Sequence, residues 1–380
     1  MNTSNLRLYY MDNLRAILMI AGVFFHAALA YSPMLQPLWL SADKINSPWV
    51  DYVINFSHTF RMPLFFVIAG FFAALLVERR GVGAMLKNRS LRILLPLVVF
   101  VPLVMLGVIL PIGWVLENIQ NLSPLLQMID QMKDMPNAPK PPPTTMHLWF
   151  LYYLMFFYVL IWVFRLLVPT VVKTTLLALN PMVVLVLLPL LLLPGLSLVT
   201  IPYPPPDSFI PQLWAFGYFG LFFAYGYLLF NGYGLIEKFQ NKWPILVVAS
   251  LILFVPFQML LPEQVNFDSQ SPAWPKRLGL MICLAYISVF MSVAGLAFAK
   301  QVLDVRNDVM RFFADASYWI YIAHLPLLFA IQYWLLDQPG GLLYKYSLSV
   351  GVTLLVCLVT YVLLVRWTPI GWMLNGRRRA

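Results

Sequence analysis

Apolar runs of roughly twenty residues, separated by short polar segments, follow one another along most of this chain. An α-helix needs about 20 apolar residues to cross the hydrocarbon core of a bilayer, so each run has the length of one span. The pattern predicts an all-α polytopic membrane protein with about ten transmembrane helices. The predicted spans are 14–31, 51–77, 93–110, 147–168, 176–196, 209–230, 244–261, 278–299, 317–336 and 342–365.

Composition supports the same class of protein. The chain has 380 residues, of which 61% are hydrophobic and 11% are charged. Soluble domains carry about 25% charged residues, so a water-soluble fold is excluded. We expect one membrane domain over residues 1–380, with a proline-rich outer loop at 111–146 as its longest segment outside the spans. This loop could form one wall of a cleft or serve as a spacer, and its sequence favours neither.

The basic residues indicate the orientation. With a cytoplasmic N-terminus, 18 Lys and Arg side chains lie on the inner side and 6 on the outer side, while Arg61 lies within the membrane. This excess follows the positive-inside rule and predicts a cytoplasmic C-terminus as well. The net charge of +10 is explained by topology and by contact with membrane lipid, so no nucleic-acid partner is expected. A cleaved signal peptide is the alternative for the first run, but His26 inside that run opposes it.

Ionisable side chains inside the predicted spans are the strongest functional signal. Such groups are costly in hydrocarbon and mark a functional site by default. All four histidines of the chain fall within spans or at their edges. At about 1.5 Å of rise per residue, His26, His58 and His147 reach the same outer layer of the membrane as Arg61. Polar residues on the second span recur every three or four positions and form one stripe facing the protein interior; they are Asp51, Asn55, His58 and Arg61.

Neutral imidazoles beside an arginine suit one kind of chemistry. A buried histidine without a carboxylate partner stays neutral, and its free nitrogen can accept the proton of a hydroxyl group. A neighbouring arginine can stabilise an oxyanion. There is no nucleophile elbow, and Cys283 and Cys357 match no metal-ligand spacing, so no metal site is predicted. These parts suffice for direct acyl transfer to a hydroxyl, although a hydrogen bond between helices is the simpler interpretation of His324.

A dense basic cluster follows the second span on the inner side. One interpretation is an anchor that sets the topology and touches anionic lipid headgroups. The other is a phosphate-binding site, because guanidinium groups pair bidentately with phosphate oxygens. The residues are Arg79, Arg80, Lys87, Arg89 and Arg92.

Several of these segments resemble the motifs of the membrane acyltransferase 3 superfamily. Arg15 and His26, separated by ten residues, resemble its Arg-His signature, and 147–151 matches its His-Leu-Trp-Phe-Leu motif. Within the family, the run 58–66 is similar to that of the glucan biosynthesis protein C branch. The matches run in order across most of the chain; the others are 56–70, Arg89 with Arg92, and 317–326.

The resemblance implies an enzyme of the bacterial inner membrane that moves an acyl group from cytoplasmic acyl-CoA to the hydroxyl of a periplasmic glycan. The branch implies succinyl-CoA as the donor substrate, and no permanently bound cofactor is expected. His26 would be the catalytic base, while His58 and Arg61 would line the transfer site and stabilise the oxyanion. The remaining residues matched to the family are Arg15, Arg89 and Arg92 on the donor side, His147 and Trp149 on the acceptor side, and Tyr321 with His324 in the late segment.

Two other classes of function stay open on the sequence. A proton-coupled transporter or flippase for a glycan or small solute would use the same histidines as relays. It would more commonly carry carboxylates in mid-membrane, where Asp51 is the closest one. A membrane sensor or scaffold would show no turnover, and we expect no soluble output domain for it to act through.

Overall fold

Helices make up the protein. The computed structural model describes residues 8–135, 142–167, 181–230 and 234–376, and these ranges contain no β-strand beyond one isolated bridge between Thr144 and Ser208. The predicted all-α class is confirmed. The helices are α1 (Tyr9–Leu29), α2 (Pro48–Arg89), α3 (Leu95–Asn118), α4 (Pro124–Met132), α5 (Trp149–Leu167), α6 (Pro181–Leu196), α7 (Leu213–Leu229), α8 (Gly234–Phe239), α9 (Trp243–Leu260), α10 (Trp274–Val302), α11 (Asp308–Leu335), α12 (Leu342–Thr360) and α13 (Pro369–Asn375).

The long helices coincide with the predicted spans. Each predicted span overlaps one helix, whereas α4, α8 and α13 lie outside the spans. In the ranges that the structure describes, seven helical segments are long and apolar enough to cross a membrane, and α6 and α7 are apolar but shorter. The chain is therefore consistent with a multi-pass membrane protein, while ten crossings and cytoplasmic termini stay predictions. Position 168 and the start of the fifth predicted span, 176–180, lie outside the described residues.

Spans two and three differ from the prediction in their connection. A π-helical turn at Ser90–Leu94 joins α2 directly to α3, and the backbone leaves helical geometry only at Gly81, whose φ is +77°. Helix α3 continues through Pro111 to Asn118, into the segment predicted to be a loop, and α4 lies inside that segment too. Proline interrupts a membrane helix less than a soluble one, because neighbouring groups can satisfy the freed carbonyl. Part of the proline run, 136–141, lies outside the described residues.

Close glycine contacts hold α2 against α7. A Cβ atom added to Gly226 would lie 1.9 Å from the backbone oxygen of Val67, and one added to Gly70 would lie 2.0 Å from that of Phe223. Small residues let membrane helices approach until their backbones touch. This packing fixes the position of α2, which carries His58 and Arg61.

The connector between α1 and α2, residues 30–47, is called the roof below. Lys345 of α12 donates to Asp43 at 2.7 Å, and both side chains are almost completely buried. The Ser41 hydroxyl donates to Gln332 of α11 at 2.7 Å. Asp51 accepts a hydrogen bond from the hydroxyl of Ser32. Asp51, the first residue of the predicted polar stripe, therefore helps to hold the roof in place. Breaking the buried pair of Lys345 and Asp43 would leave an uncompensated charge.

Candidate active site

Three imidazole rings from separate elements lie side by side below the roof. His26 is on α1, His324 is on α11, and His147 is in a short 3₁₀ turn that precedes α5. The ring centroids of His26 and His324 are 5.3 Å apart, those of His147 and His324 are 4.8 Å apart, and those of His26 and His147 are 6.4 Å apart. The structure thus brings together residues that are distant in sequence: His26 and His147 were predicted to share one layer, and His324 joins them although its sequence favoured a hydrogen bond between helices.

A reciprocal pair of hydrogen bonds orients His147. Its Nε2 lies 2.8 Å from the backbone oxygen of Tyr321, and the Tyr321 hydroxyl donates to the backbone oxygen of His147 at 2.7 Å. A carbonyl oxygen can only accept, so in the neutral ring Nε2 carries the hydrogen and Nδ1 keeps a lone pair. The same reasoning applies to His324, whose Nδ1 lies 2.8 Å from the Tyr321 oxygen and whose Nε2 is left as the acceptor.

A reciprocal pair of hydrogen bonds also orients His58. Its Nε2 lies 3.2 Å from the backbone oxygen of Tyr203, and the Tyr203 hydroxyl donates to the backbone oxygen of His58 at 2.9 Å. The ring of Phe25 stacks on the His58 ring at 5.8 Å. The guanidinium carbon of Arg61 lies 3.8 Å from the centroid of the same Phe25 ring, a cation–π contact that places the positive charge close to His26.

The ring nitrogens and the guanidinium nitrogen that have no partner among the described residues offer complementary chemistry: proton acceptors and a cationic hydrogen-bond donor. Four ring nitrogens and one guanidinium nitrogen are buried without a hydrogen-bond partner among the described residues: His26 Nδ1, His58 Nδ1, His147 Nδ1, His324 Nε2 and Arg61 Nη1. Leaving such atoms unpaired is costly, so a site that keeps them free is arranged for a ligand. Neutral imidazole lone pairs can take a proton from a hydroxyl, and a guanidinium donor can stabilise an oxyanion.

Backbone strain places His147. Met146, the residue before it, has a φ of +51°, which is unusual for a residue with a side chain. Asp207 holds the turn from outside, because its carboxylate accepts from the Thr144 hydroxyl at 2.6 Å and its backbone oxygen accepts from the Thr145 N–H at 2.7 Å. Strained backbone of this kind persists where surrounding contacts enforce it, and it is common at functional sites.

The roof contributes a residue that sequence reasoning missed. The indole of Trp39 lies over His26, with 6.0 Å between ring centroids and 18° between the planes, and packs against Phe329 on α11. Its Nε1 is buried and has no hydrogen-bond partner in the described part of the chain. Trp39 lies in an irregular segment between two spans, and no motif or periodicity signals its proximity to His26.

Trp149 lies elsewhere in the structure. Its ring packs among Phe66 of α2 and Phe219 of α7, with centroid distances of 6.1 and 5.2 Å, inside the aromatic core. Its ring contacts therefore belong to the aromatic core, and an acceptor-side role for Trp149 stays a prediction.

A basic cavity lies at the other end of the same helices. It has a volume of about 230 Å³ and is lined by α1, α2, α5, α11, α13 and the π-helical turn. Its arginines are the three predicted to bind the donor: Arg15, Arg89 and Arg92. Arg15 pairs with Asp12 at 3.5 Å, and the guanidinium of Arg89 lies 5.2 Å from the ring centroid of Tyr158.

The C-terminal helix α13 covers this basic cavity. Asn375 lines the cavity and donates to the backbone oxygen of Asp315 at 2.8 Å. Gly376 follows with a φ of +81°, and a Cβ atom there would lie 2.1 Å from a guanidinium nitrogen of Arg92. The Tyr318 hydroxyl donates to the backbone oxygen of Arg92 at 2.8 Å. These contacts hold the π-helical turn that carries Arg92.

The basic cavity and the imidazole cluster are two levels of one helical bundle. Arg15 and His26 are eleven residues apart on α1, a rise of about 16 Å. Phe150, which lines the cavity, has its ring centroid 6.5 Å from that of Tyr321, which binds His147. In the described residues no group of three or more His, Cys, Asp and Glu side chains could hold a metal ion. The arrangement offers anion-binding groups at one level and proton-accepting groups at the other.

Comparison with known proteins identifies the family of this chain. The family model described as an acyltransferase domain, Acyl_transf_3, matches residues 8–362. The chain is 27% identical over 334 residues to "Glucans biosynthesis protein C" of Escherichia coli strain K12, covering 84% of this chain and 82% of that protein. The protein of the same name from Escherichia coli O157:H7 matches with the same identity and coverage. No solved structure matches the chain. The chain belongs to the acyltransferase 3 family of membrane acyltransferases.

Proposed function

We propose that this protein is an O-acyltransferase of the bacterial inner membrane that transfers an acyl group, succinyl, from cytoplasmic acyl-CoA to a hydroxyl of a periplasmic glucan. The observation that carries the proposal is the placement of a basic cavity and an imidazole cluster at two levels of the same helices. The glucan acceptor follows the printed name of the relatives, and the succinyl group follows the motif at 58–66.

The basic cavity supports a phosphate-bearing donor. Guanidinium groups recognise phosphate oxygens by paired, charge-assisted hydrogen bonds, and Arg89 and Arg92 lie together in the cavity. The distance of about 16 Å along α1 between Arg15 and His26 suits a donor whose reactive carbon is at the end of a long arm. Acyl-CoA has both features, since a pantetheine arm separates its thioester from its phosphates.

The transfer needs one base and one oxyanion donor. The acceptor hydroxyl oxygen attacks the thioester carbon, and a new C–O bond forms while its proton passes to the free Nδ1 of His26. The carbonyl oxygen becomes an oxyanion, which Arg61 stabilises through its unpartnered Nη1. When the oxyanion collapses, the C–S bond breaks, and the imidazolium returns its proton to the leaving thiolate. His147 and His324 hold their lone pairs close to His26, where they accept hydrogen bonds from neighbouring hydroxyl groups of the glucan and so orient it.

Reaction of the purified protein with succinyl-CoA and a glucan tests this function. We expect the glucan to gain one succinyl mass per ester and free thiol to appear in equal amount, measured by mass spectrometry and a thiol reagent. Vesicles that accumulate unmodified glucan without any acyl-CoA, and show no mass gain, would contradict the proposal and favour the transporter.

A further inference from the structure

A second cavity lies beside the basic cavity. Its volume is also about 230 Å³, and both cavities are lined by Ala314 at the start of α11. We call it the side cavity. It is lined by Tyr9, Asp12, Asn13, Arg306, Asn307, Arg311 and Ala314.

Two arginine side chains of the side cavity have no polar partner among the described residues. Neither the Arg306 nor the Arg311 side chain forms an ion pair or hydrogen bond with any residue in the described ranges, whereas Asp12, the carboxylate of this cavity, pairs with Arg15 of the basic cavity. Both arginine side chains are at the exposed mouth of the cavity. Unpaired guanidinium groups that converge on a cavity favour an anionic ligand there.

The two cavities are one helical turn apart on α1. Arg15 lines the basic cavity, and Asp12, three residues earlier, lines the side cavity, so the Asp12–Arg15 ion pair forms the partition between them. Asn13 fixes this end of α1, because its side-chain amide donates to the backbone oxygens of Leu303 and Val305 at 2.8 and 3.2 Å. A ligand with two separate phosphate groups could occupy both cavities at once.

We infer that the side cavity binds the ribose phosphomonoester of the acyl donor, while Arg89 and Arg92 bind its pyrophosphate. This inference rests on the proposed function, because it takes coenzyme A thioester as the donor. In that molecule one ribose separates the pyrophosphate from the phosphomonoester, which matches two neighbouring arginine-lined cavities better than one. Arg306 and Arg311 then select a donor that carries the terminal phosphate.

The test combines a change in the donor with a change in the protein and compares the two effects. Initial rates are measured with succinyl-CoA and with succinyl-dephospho-CoA, which lacks only the ribose phosphate, for the wild type and for Arg311→Gln and Arg306→Gln. We expect the wild type to prefer the complete donor by roughly tenfold in kcat/KM, the value of one charged hydrogen bond, and each variant to move that ratio towards one. The rate with the dephospho donor should not change. Arg165→Gln is the matched control, since Arg165 pairs with Glu78 and lines neither cavity.

A binding measurement separates this inference from the proposed function. The adenosine bisphosphate that forms the head of coenzyme A should bind the purified wild type more tightly than adenosine monophosphate, and Arg311→Gln should remove the difference even in a preparation that transfers no acyl group. Equal use of both thioesters and equal binding of both nucleotides by the wild type would overturn the inference. If Arg306 and Arg311 only contact anionic lipid headgroups, that result is expected when the assay is run in neutral detergent.

Discussion

Replacing His26 by alanine is expected to lower kcat for acyl transfer by about 10²–10⁴-fold, the contribution of a positioned general base. His26 has an Nδ1 without a partner among the described residues, its ring centroid lies 5.3 Å from that of His324, and it is the residue proposed to take the proton of the acceptor hydroxyl. The measurement is the steady-state rate of ester formation with saturating donor and acceptor. Donor binding should change little, because the basic cavity lies at the other level of the bundle.

The control for His26→Ala is Phe24→Ala on the same helix. Phe24 is 43% exposed, in contrast to the cluster residues, and its removal should leave the rate close to that of the wild type. Both variants must elute as monodisperse protein and melt at similar temperatures. Full acyl transfer by His26→Ala at normal expression would remove His26 from its proposed role.

Replacing Arg61 by methionine is expected to lower kcat by about 10²–10³-fold, the cost of removing one oxyanion donor. The Arg61 side chain is 5% exposed, and its Nη1 has no partner in the described part of the protein. A Cβ atom on Gly22 would lie 4.0 Å from that nitrogen, so the donor sits against α1 one turn from His26. Methionine fills the volume of the arginine stem without its charge, which keeps the packing against Phe25.

A KM-against-kcat comparison distinguishes this role from a structural one. We expect kcat to fall while the KM for succinyl-CoA stays close to that of the wild type, and we expect Arg61→Lys to recover part of the rate because an ammonium retains the charge. An equal loss in Arg61→Met and Arg61→Lys, accompanied by a lower melting temperature, would mean that Arg61 serves only the fold.

The layer of imidazoles could be predicted because depth in a membrane follows residue number. Helices rise by a constant amount per residue, so the positions of His26, His58 and His147 in their runs set a common level. Hydropathy located the helices for a second reason: backbone groups in lipid must be satisfied within a helix, so a long apolar run is helical. The motif that pairs Arg89 with Arg92 likewise anticipated their meeting in the basic cavity with Arg15.

The contacts that hold the site could not be predicted, because they join segments far apart in sequence. The roof residue Trp39 reaches His26 through an irregular connector, and Tyr203 meets His58 across a separation of 145 residues. Trp149 illustrates the opposite case: it follows His147 closely in the motif, yet α5 turns its ring into the aromatic core. Helix α3 passes through Pro111 although a proline commonly ends a helix in water.

The central claim is that donor and acceptor reach one site from opposite sides of the membrane. Transfer across a sealed membrane tests this claim most directly. The protein is reconstituted in one orientation into tight vesicles with glucan enclosed, and labelled succinyl-CoA is added outside. We predict that succinylated glucan forms inside the vesicles with the wild type and not with His26→Ala, while the thiol is released outside. Acylation that occurs only when both substrates are on the same side of the membrane would contradict the account.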